Sequence, residues 1–474
     1  MNRSVSRLLP VLAILWIMGG CMRLGPDYHR PDTGIETPDS YQHAPEESKT
    51  SPVEDRWWEV FGDPELNQLV EDVLANNLDI KKATAAILEV RAQLVQTKAE
   101  RLPGLDAMGE GIRQHRQVIG VVPGESFSVE TDIYSFSLPA SFEIDLWGRL
   151  ARAEEGARAA LLQAEENRRT VAQSVVAEAI TLYLRMESIE RGIQIANELT
   201  DTVRRTLTLT RRRYERGLTS VLDVRQARRT LARAEAVLPS LRQNLGTTQQ
   251  RLAVLLGRYP ATGPARAQPE DYFKRLAPVP PGLPSDLLLR RPDIRAAEAQ
   301  LMALNAQVGV SKASRFPRIT LTGAYGYASE ELNGLFSQEN ELWNIALGIT
   351  QPIFDAGKLK AGQRAAEARY QQGVAEYAKS VLNAFAEVEN AFLTREEQLK
   401  RRDHVLSFVQ DARATQRIAE HRYEKGLVDY ITVLDAQQTR FEAERDLLEV
   451  DLAILTNRVT LHRVLGGGWA EPVS

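Results

Sequence analysis

Tyr134-Ser135-Phe136-Ser137-Leu138-Pro139-Ala140-Ser141-Phe142-Glu143-Ile144-Asp145-Leu146 alternates apolar and polar side chains along its length. Tyr134, Phe136, Leu138, Ala140, Phe142, Ile144 and Leu146 take one parity; Ser135, Ser137, Ser141, Glu143 and Asp145 take the other. Successive side chains of a strand point to opposite faces, so a period of two predicts a sheet with one apolar and one polar face. A second stretch has the same period. Trp343, Ile345, Leu347 and Ile349 alternate with Asn344, Ala346, Gly348 and Thr350, and upstream Ile319, Leu321, Tyr325 and Tyr327 alternate with Thr320, Thr322 and Gly326. A soluble sheet would rest its apolar face on a core. No separate block of sequence is left over to supply one, because the neighbouring regions read as helical rods. Against lipid, backbone hydrogen bonding demands a closed barrel.

The two stretches belong to a duplication. Leu78-Asp79-Ile80 leads to Arg101-Leu102-Pro103, and Pro292-Asp293-Ile294 leads to Arg315-Phe316-Pro317, displaced by 214 positions. Arg213-Tyr214-Glu215-Arg216-Gly217-Leu218 returns as Arg422-Tyr423-Glu424-Lys425-Gly426-Leu427, displaced by 209. The first repeat is placed at 57-258, with a hairpin within 104-149 and long helices 150-213 and 219-256. The second is placed at 287-465, with a hairpin within 318-357 and long helices 358-422 and 428-465. Pro-rich residues 259-286 read as the linker between repeats and 466-474 as a tail. A proline-free run such as 150-213, dominated by Ala, Glu, Arg, Gln and Leu, would span about 96 Å as one helix. Such rods could form either a solid bundle or a hollow tube.

Two hairpins give four strands, too few to enclose a membrane barrel. Several copies must contribute: three would supply twelve strands and six pseudo-repeats, two would supply eight strands and a narrower pore.

Of the 474 residues, 43% are hydrophobic, which excludes wholesale disorder. A formal charge of -4 gives no electrostatic reason to expect nucleic acid. Six scattered histidines and a single cysteine argue against a metal centre, and no other cofactor is indicated. Ser285 and Asp286 precede a helix and read as capping residues, remote from any histidine partner, and there is no phosphate loop, so an enzyme is not expected.

At the N-terminus, Arg3 and Arg7 precede an apolar stretch from Leu8 through Met18 that ends at Gly19-Gly20-Cys21. This reads as a signal peptide over 1-20, too short to be a membrane span. The ending resembles a bacterial lipoprotein processing site, which implies lipid attachment at Cys21; an ordinary signal peptide with an incidental cysteine is the alternative. Cleavage before Cys21 would remove Arg3 and Arg7 and no acidic residue, taking the formal charge from -4 to -6. Residues 21-56, rich in Pro, Asp, Glu and Ser, read as an extended anchored arm.

Four further regions carry a family likeness: Trp57-Trp58 with Phe61, Asp63-Pro64 and Leu66-Asn67; Gly282-Leu283-Pro284-Ser285-Asp286-Leu287 followed by Arg290-Arg291-Pro292-Asp293-Ile294; the paired Arg-Tyr-Glu-Arg/Lys-Gly-Leu turns; and Leu465-Gly466-Gly467-Gly468-Trp469. Together they resemble the outer membrane factor, or outer membrane efflux protein, family, and especially its lipoprotein branch serving pumps of the resistance-nodulation-division type. The likeness implies a homotrimer with a twelve-stranded outer-membrane β-barrel continuous with a long periplasmic α-helical barrel. It also implies passive conduction to the exterior, with a periplasmic adaptor and an inner-membrane pump as partners.

By the same resemblance the turns form the periplasmic tip, with Tyr214, Gly217 and Leu218 in the first repeat and Tyr423, Gly426 and Leu427 in the second as docking positions. Asp223 and Asp435 are the corresponding candidates for an acidic constriction. At the offset of 209, Asp223 matches Thr432 and Asp435 matches Gln226, so the copies are not interchangeable. A lipid-anchored periplasmic coiled-coil scaffold without a pore and a polypeptide secretion duct are the competing readings. The cargo is not written in any recognisable pocket.

Overall fold

The computed structural model describes residues 23-36, 38-44, 56-119, 126-262, 279 and 284-467. Cys21, the signal segment, most of the linker and the tail beyond Gly467 lie outside the described residues.

The chain divides into two compact units. The first contains Ala86–Glu165, Ala296–Ala378 and the arm up to Thr33, and is built on a single sheet. Strands β1 (Gly104–Leu105) and β2 (Met108–Ile119) both pair antiparallel with β3 (Ser126–Ile144), which pairs with β4 (Arg318–Ser329), which pairs with β5 (Glu341–Thr350). β1 and β2 continue one register against β3. The ladder breaks opposite Pro139, which accepts from Asp106 N at 3.0 Å but has no N–H to return. The sheet is therefore four strands wide. Its middle pair, β3 with β4, joins the two repeats. The outer edges of β2 and β5 have no partner strand among the described residues.

Pairing partners share a face, so the register decides what each face presents. Leu138, Tyr325 and Trp343 form one row, Phe142, Leu321 and Leu347 another, and Ile144, Ile319 and Ile349 a third. The opposite face carries rows such as Ser141, Thr322 and Ala346. The apolar rows are uncovered: Trp343 is 70% exposed and Ile345 73%. From Tyr134 to Ile144 this parity runs for about 33 Å of strand. A tilt of about 40° projects that to about 25 Å, the height of the lipid-facing band of a membrane barrel. Beyond Tyr134 the same face turns polar, with Arg113 donating to Glu130 at 3.3 Å.

The arm is fixed to this unit by charge. Arg152, 2% exposed, donates to Asp27 at 2.7 Å and Arg30 to Glu298 at 2.6 Å, while Asn305 donates to the carbonyl of Pro26 at 2.9 Å.

The second unit contains Gly34–Ala85, Glu166–Arg295 and Lys379–Ser474, and is helical. Helices α1 (Pro64–Asn76), α2 (Leu78–Ala99), α3 (Arg149–Glu215) and α4 (Val221–Leu255) come from the first repeat. The second gives α5 (Pro284–Arg290), α6 (Pro292–Ala313), α7 (Lys358–Glu424) and α8 (Tyr430–Val464); α2, α3, α6 and α7 each have residues in both units, α2 and α6 chiefly in the first. The duplication holds to the residue: α2 and α6 have 22 residues each, α3 and α7 67, and α4 and α8 35. The fall in offset from 214 to 209 is thus absorbed between α2 and α3, where the first β-region is five residues longer than the second. Among the described residues no helix is long and apolar enough to cross a membrane.

Asp63 starts α1 by accepting from Glu65 N at 2.8 Å and Leu66 N at 3.3 Å, and its other oxygen accepts from Tyr183 Oη at 2.8 Å. Trp57, Trp58 and Phe61 then pack on Ile180, Leu184 and Val459. Trp57 also stacks on His462 at 4.8 Å. His462 has no hydrogen-bond partner for either ring nitrogen among the described residues, and burial pushes its pKa down to about 3, with Arg458 and Arg395 adding to the effect. Below pH 6.5 the unfolded chain binds a proton that the native state refuses, so stability falls as pH falls from 6.5 toward 3. Thermal unfolding of His462→Phe is expected to lose up to about 2 kcal/mol less than the parent between pH 7 and pH 4.5.

Candidate functional site

Each long pair of helices turns through the same backbone motif. In the first, Gly217 N donates to Tyr214 O and Leu218 N to Arg213 O, both at 2.9 Å; in the second, Gly426 N donates to Tyr423 O and Leu427 N to Arg422 O, again at 2.9 Å. This paired closure caps orphan carbonyls and requires a left-handed residue, which Gly217 supplies at φ +71° and Gly426 at φ +76°. Space is not the constraint, since nothing lies within 4 Å of a Cβ added at Gly217. Gly217→Ala and Gly426→Ala should each cost about 1–2 kcal/mol, seen as faster amide exchange in the turn. Asparagine, which tolerates the left-handed region, should recover part of that cost.

Beyond Gly217 the next helix begins with a reciprocal cap. Asp223 N donates to Ser220 Oγ at 3.2 Å and Ser220 N donates to the Asp223 carboxylate at 3.1 Å, with Thr219 Oγ1 donating to the same oxygen. Burial raises the Asp223 pKa, but these donors outweigh it and hold the carboxyl below its ordinary value. The structure therefore places Asp223 against its own helix terminus. Asp435 is exposed on α8 in a cleft of about 670 Å³ shared with Arg229, Arg233, Ile431, Thr432 and Gln438.

The tyrosines of the two turns differ. Tyr214 is 45% exposed, whereas Tyr423 is 2% exposed, its hydroxyl 3.2 Å from Thr210 Oγ1. Arg213 lies over the Tyr423 ring at 4.8 Å and donates to its carbonyl at 2.6 Å. Tyr423 and Arg213 thus tie the end of α3 to the end of α7. Leu218 and Leu427 are 63% and 62% exposed.

A polar lattice follows, which the sequence reading did not identify. Gln437, 1% exposed, donates to Thr206 Oγ1 at 3.0 Å and to Glu420 at 2.9 Å; Gln416 donates to Glu420 at 2.7 Å, and Arg413 and Arg440 donate to Glu444 at 2.7 and 2.9 Å. Its signal was present as polar pairs four residues apart, Gln416 with Glu420 and Arg440 with Glu444. Hydrogen bonds of this kind can be exchanged as helices rotate, whereas a close-packed apolar seam resists such movement. Among the described residues no group of three or more His, Cys, Asp or Glu side chains is arranged to hold a metal ion.

The architecture has known counterparts. The sequence profile described as "Outer membrane efflux protein" matches residues 69-258 and 283-467. The solvent efflux pump outer membrane protein SrpC of Pseudomonas putida is 34% identical over 466 residues, covering 98% of each chain. The cation efflux system protein CusC of Escherichia coli is 32% identical over 483 residues, covering 99% of this chain and 100% of its own. The solved outer-membrane channel OprN superposes with a TM-score of 0.87 at 30% identity, over 94% of this chain and 99% of its own.

Proposed function

The chain belongs to the outer membrane efflux protein family, and on that premise we propose that it is the outer-membrane channel of a tripartite efflux system, conducting solutes passively to the exterior. The observation that carries this is the sheet: its apolar face is uncovered while neither edge has a partner strand among the described residues. Three copies, each supplying a four-strand segment, close twelve strands into a barrel and leave no edge. The serine- and threonine-bearing face then lines the lumen. The long helices continue as a periplasmic tunnel. Energy comes from an inner-membrane pump of the resistance-nodulation-division type, coupled through a periplasmic adaptor at the tip. Acylation at Cys21 adds an anchor to a protein already held by its strands.

In this reading the polar lattice behind the turns exchanges partners as the helices rotate, and Asp435, repeated three times, supplies the negative charge at the constriction, offset in part by Arg229 and Arg233 at the border of its cleft. Asp223 has a smaller share, because its carboxylate is committed to the cap. The relatives SrpC and CusC carry the words solvent and cation in their names at nearly equal identity, which favours a wide conduit whose selectivity is delegated to the pump. The proposal is tested by reconstituting the purified protein in planar bilayers. Asp435→Asn should lower the preference for cations, and adding Asp223→Asn should lower it only slightly further. Absence of a pore, or an unchanged preference in the double variant, contradicts it.

A further inference from the structure

On the reading just given, in which the turns meet an adaptor, the two repeats offer it surfaces of different charge. From Arg204 to Arg233 the first repeat carries ten arginines against Glu215 and Asp223, a formal +8 in a chain whose total is -4. The equivalent stretch of the second repeat, 413-442, carries five Arg or Lys against five Asp or Glu and is neutral. The equivalence is positional, since α3 and α7, and α4 and α8, have equal lengths at one offset.

Arg225, Arg228, Arg229 and Arg233 recur at spacings of three and four and so share one face of α4. All four are exposed, and their counterparts are Leu434, Gln437, Gln438 and Glu442. On α3, Arg204 is paired with Asp201 and Glu235, and Arg211 with Glu215. The four α4 arginines reach no carboxylate at ion-pair distance among the described residues, although Asp435 borders the same cleft as Arg229 and Arg233. Uncompensated positive charge of one sign at the end of an otherwise acidic chain repels itself and so works against the fold. Its physical use is to attract and orient an anionic partner, with guanidinium groups matching carboxylates in a two-point contact.

We propose that the first-repeat end of α3 and α4 is a docking surface for an acidic segment of the periplasmic adaptor. In a trimer, three basic docking surfaces alternate with three neutral ones. Adaptors therefore engage the two kinds of position with different affinity, the first-repeat position filling first.

The full-length trimer in nanodiscs is titrated with the soluble domain of the adaptor that supports efflux with it, at 50 and 500 mM salt. Arg225→Glu/Arg229→Glu/Arg233→Glu should slow association on the order of tenfold at low salt and flatten its salt dependence. The same positions changed to Lys should restore association, and Arg417→Glu, a charge reversal exposed on α7 of the second repeat, should leave it within about twofold. Trimers of unaltered thermal stability exclude misfolding as the cause. Equal association by the parent and the triple-Glu variant overturns this inference while leaving tip docking intact. Failure of the parent itself to bind overturns tip docking and this inference together, although the pore could still be recorded. Binding of the parent to phosphatidylglycerol vesicles through these arginines, with adaptor association unaffected by their reversal, also overturns it.

Discussion

Ile345→Arg or Leu347→Arg prevents assembly in the outer membrane, the largest single-residue effect expected for this chain. Ile345 is 73% exposed and Leu347 64%, in a β5 that pairs with β4 on one side and with no strand among the described residues on the other. In water, such exposure would make the strand an aggregation site. In a bilayer, it is the surface the lipid requires. An arginine at the lipid-facing midplane costs about 2–4 kcal/mol, and three copies raise this to about 6–12 kcal/mol per barrel. Fractionation followed by unheated gel electrophoresis should show the parent as a trimer in the outer membrane and the variants as unassembled chain. Asn344→Arg, one residue away on the opposite parity, should still assemble because the proposed barrel turns that face to the lumen. Normal assembly of the Ile345→Arg protein would show that this face does not meet lipid.

The second large effect is expected at Arg291. Arg291 is 6% exposed, and its guanidinium donates to Asp293 at 2.6 Å, to Glu387 at 2.8 Å and to the carbonyl of Val464 at 3.2 Å, joining the start of α6 to α7 and the end of α8. Burial lowers the arginine pKa, but the two carboxylates more than restore it. Removing one member of such a buried cluster leaves the others uncompensated, at a cost of about 3–5 kcal/mol. Asp293 and Glu387 retain 42% and 43% side-chain exposure, so water can take up part of the loss and Arg291→Met should fall near 3 kcal/mol.

The pH dependence follows from Asp293. Burial raises its pKa, and Arg291 more than reverses this, leaving it below the ordinary value of 3.8. Its stabilisation is therefore complete above that value and is lost as pH falls through the depressed one. Chemical denaturation of Arg291→Met should show both the lower stability near neutrality and a shallower decline in acid. Parent-like stability at pH 7 would contradict the cluster's role.

Much of the fold was legible because two periods differ so sharply. Alternation at Tyr134-Leu146 and Trp343-Thr350 could only mean strands with unlike faces, and a proline-free run of 150-213 could only mean a long helix. Strand partners were less accessible. Period two names the face of Phe142 but not that it would sit opposite Leu321, because pairing depends on residues brought together across 179 positions of sequence. The break between β1 and β2 was hidden for a related reason: Pro139 disturbs its partner strand rather than its own.

At the two helix turns, Gly217 and Gly426 were readable because a left-handed turn admits few other residues. Asp223 was readable as a charge, but its commitment to Ser220 is a matter of local geometry, although the Ser-x-x-Asp spacing carried the signal. Arg291 and Asp293 were visible only as part of a motif. Their shared cluster with Glu387 required the fold.

Copies of this chain are proposed to close one another's sheets. A photo-crosslinking side chain placed at Glu110, on the open edge of β2, tests it in intact cells. A ladder of covalent dimers and trimers that ends at three is expected, with the crosslinked peptides mapping to β5 of a neighbouring copy. Crosslinks confined within single chains, or a ladder that does not end at three, would contradict it.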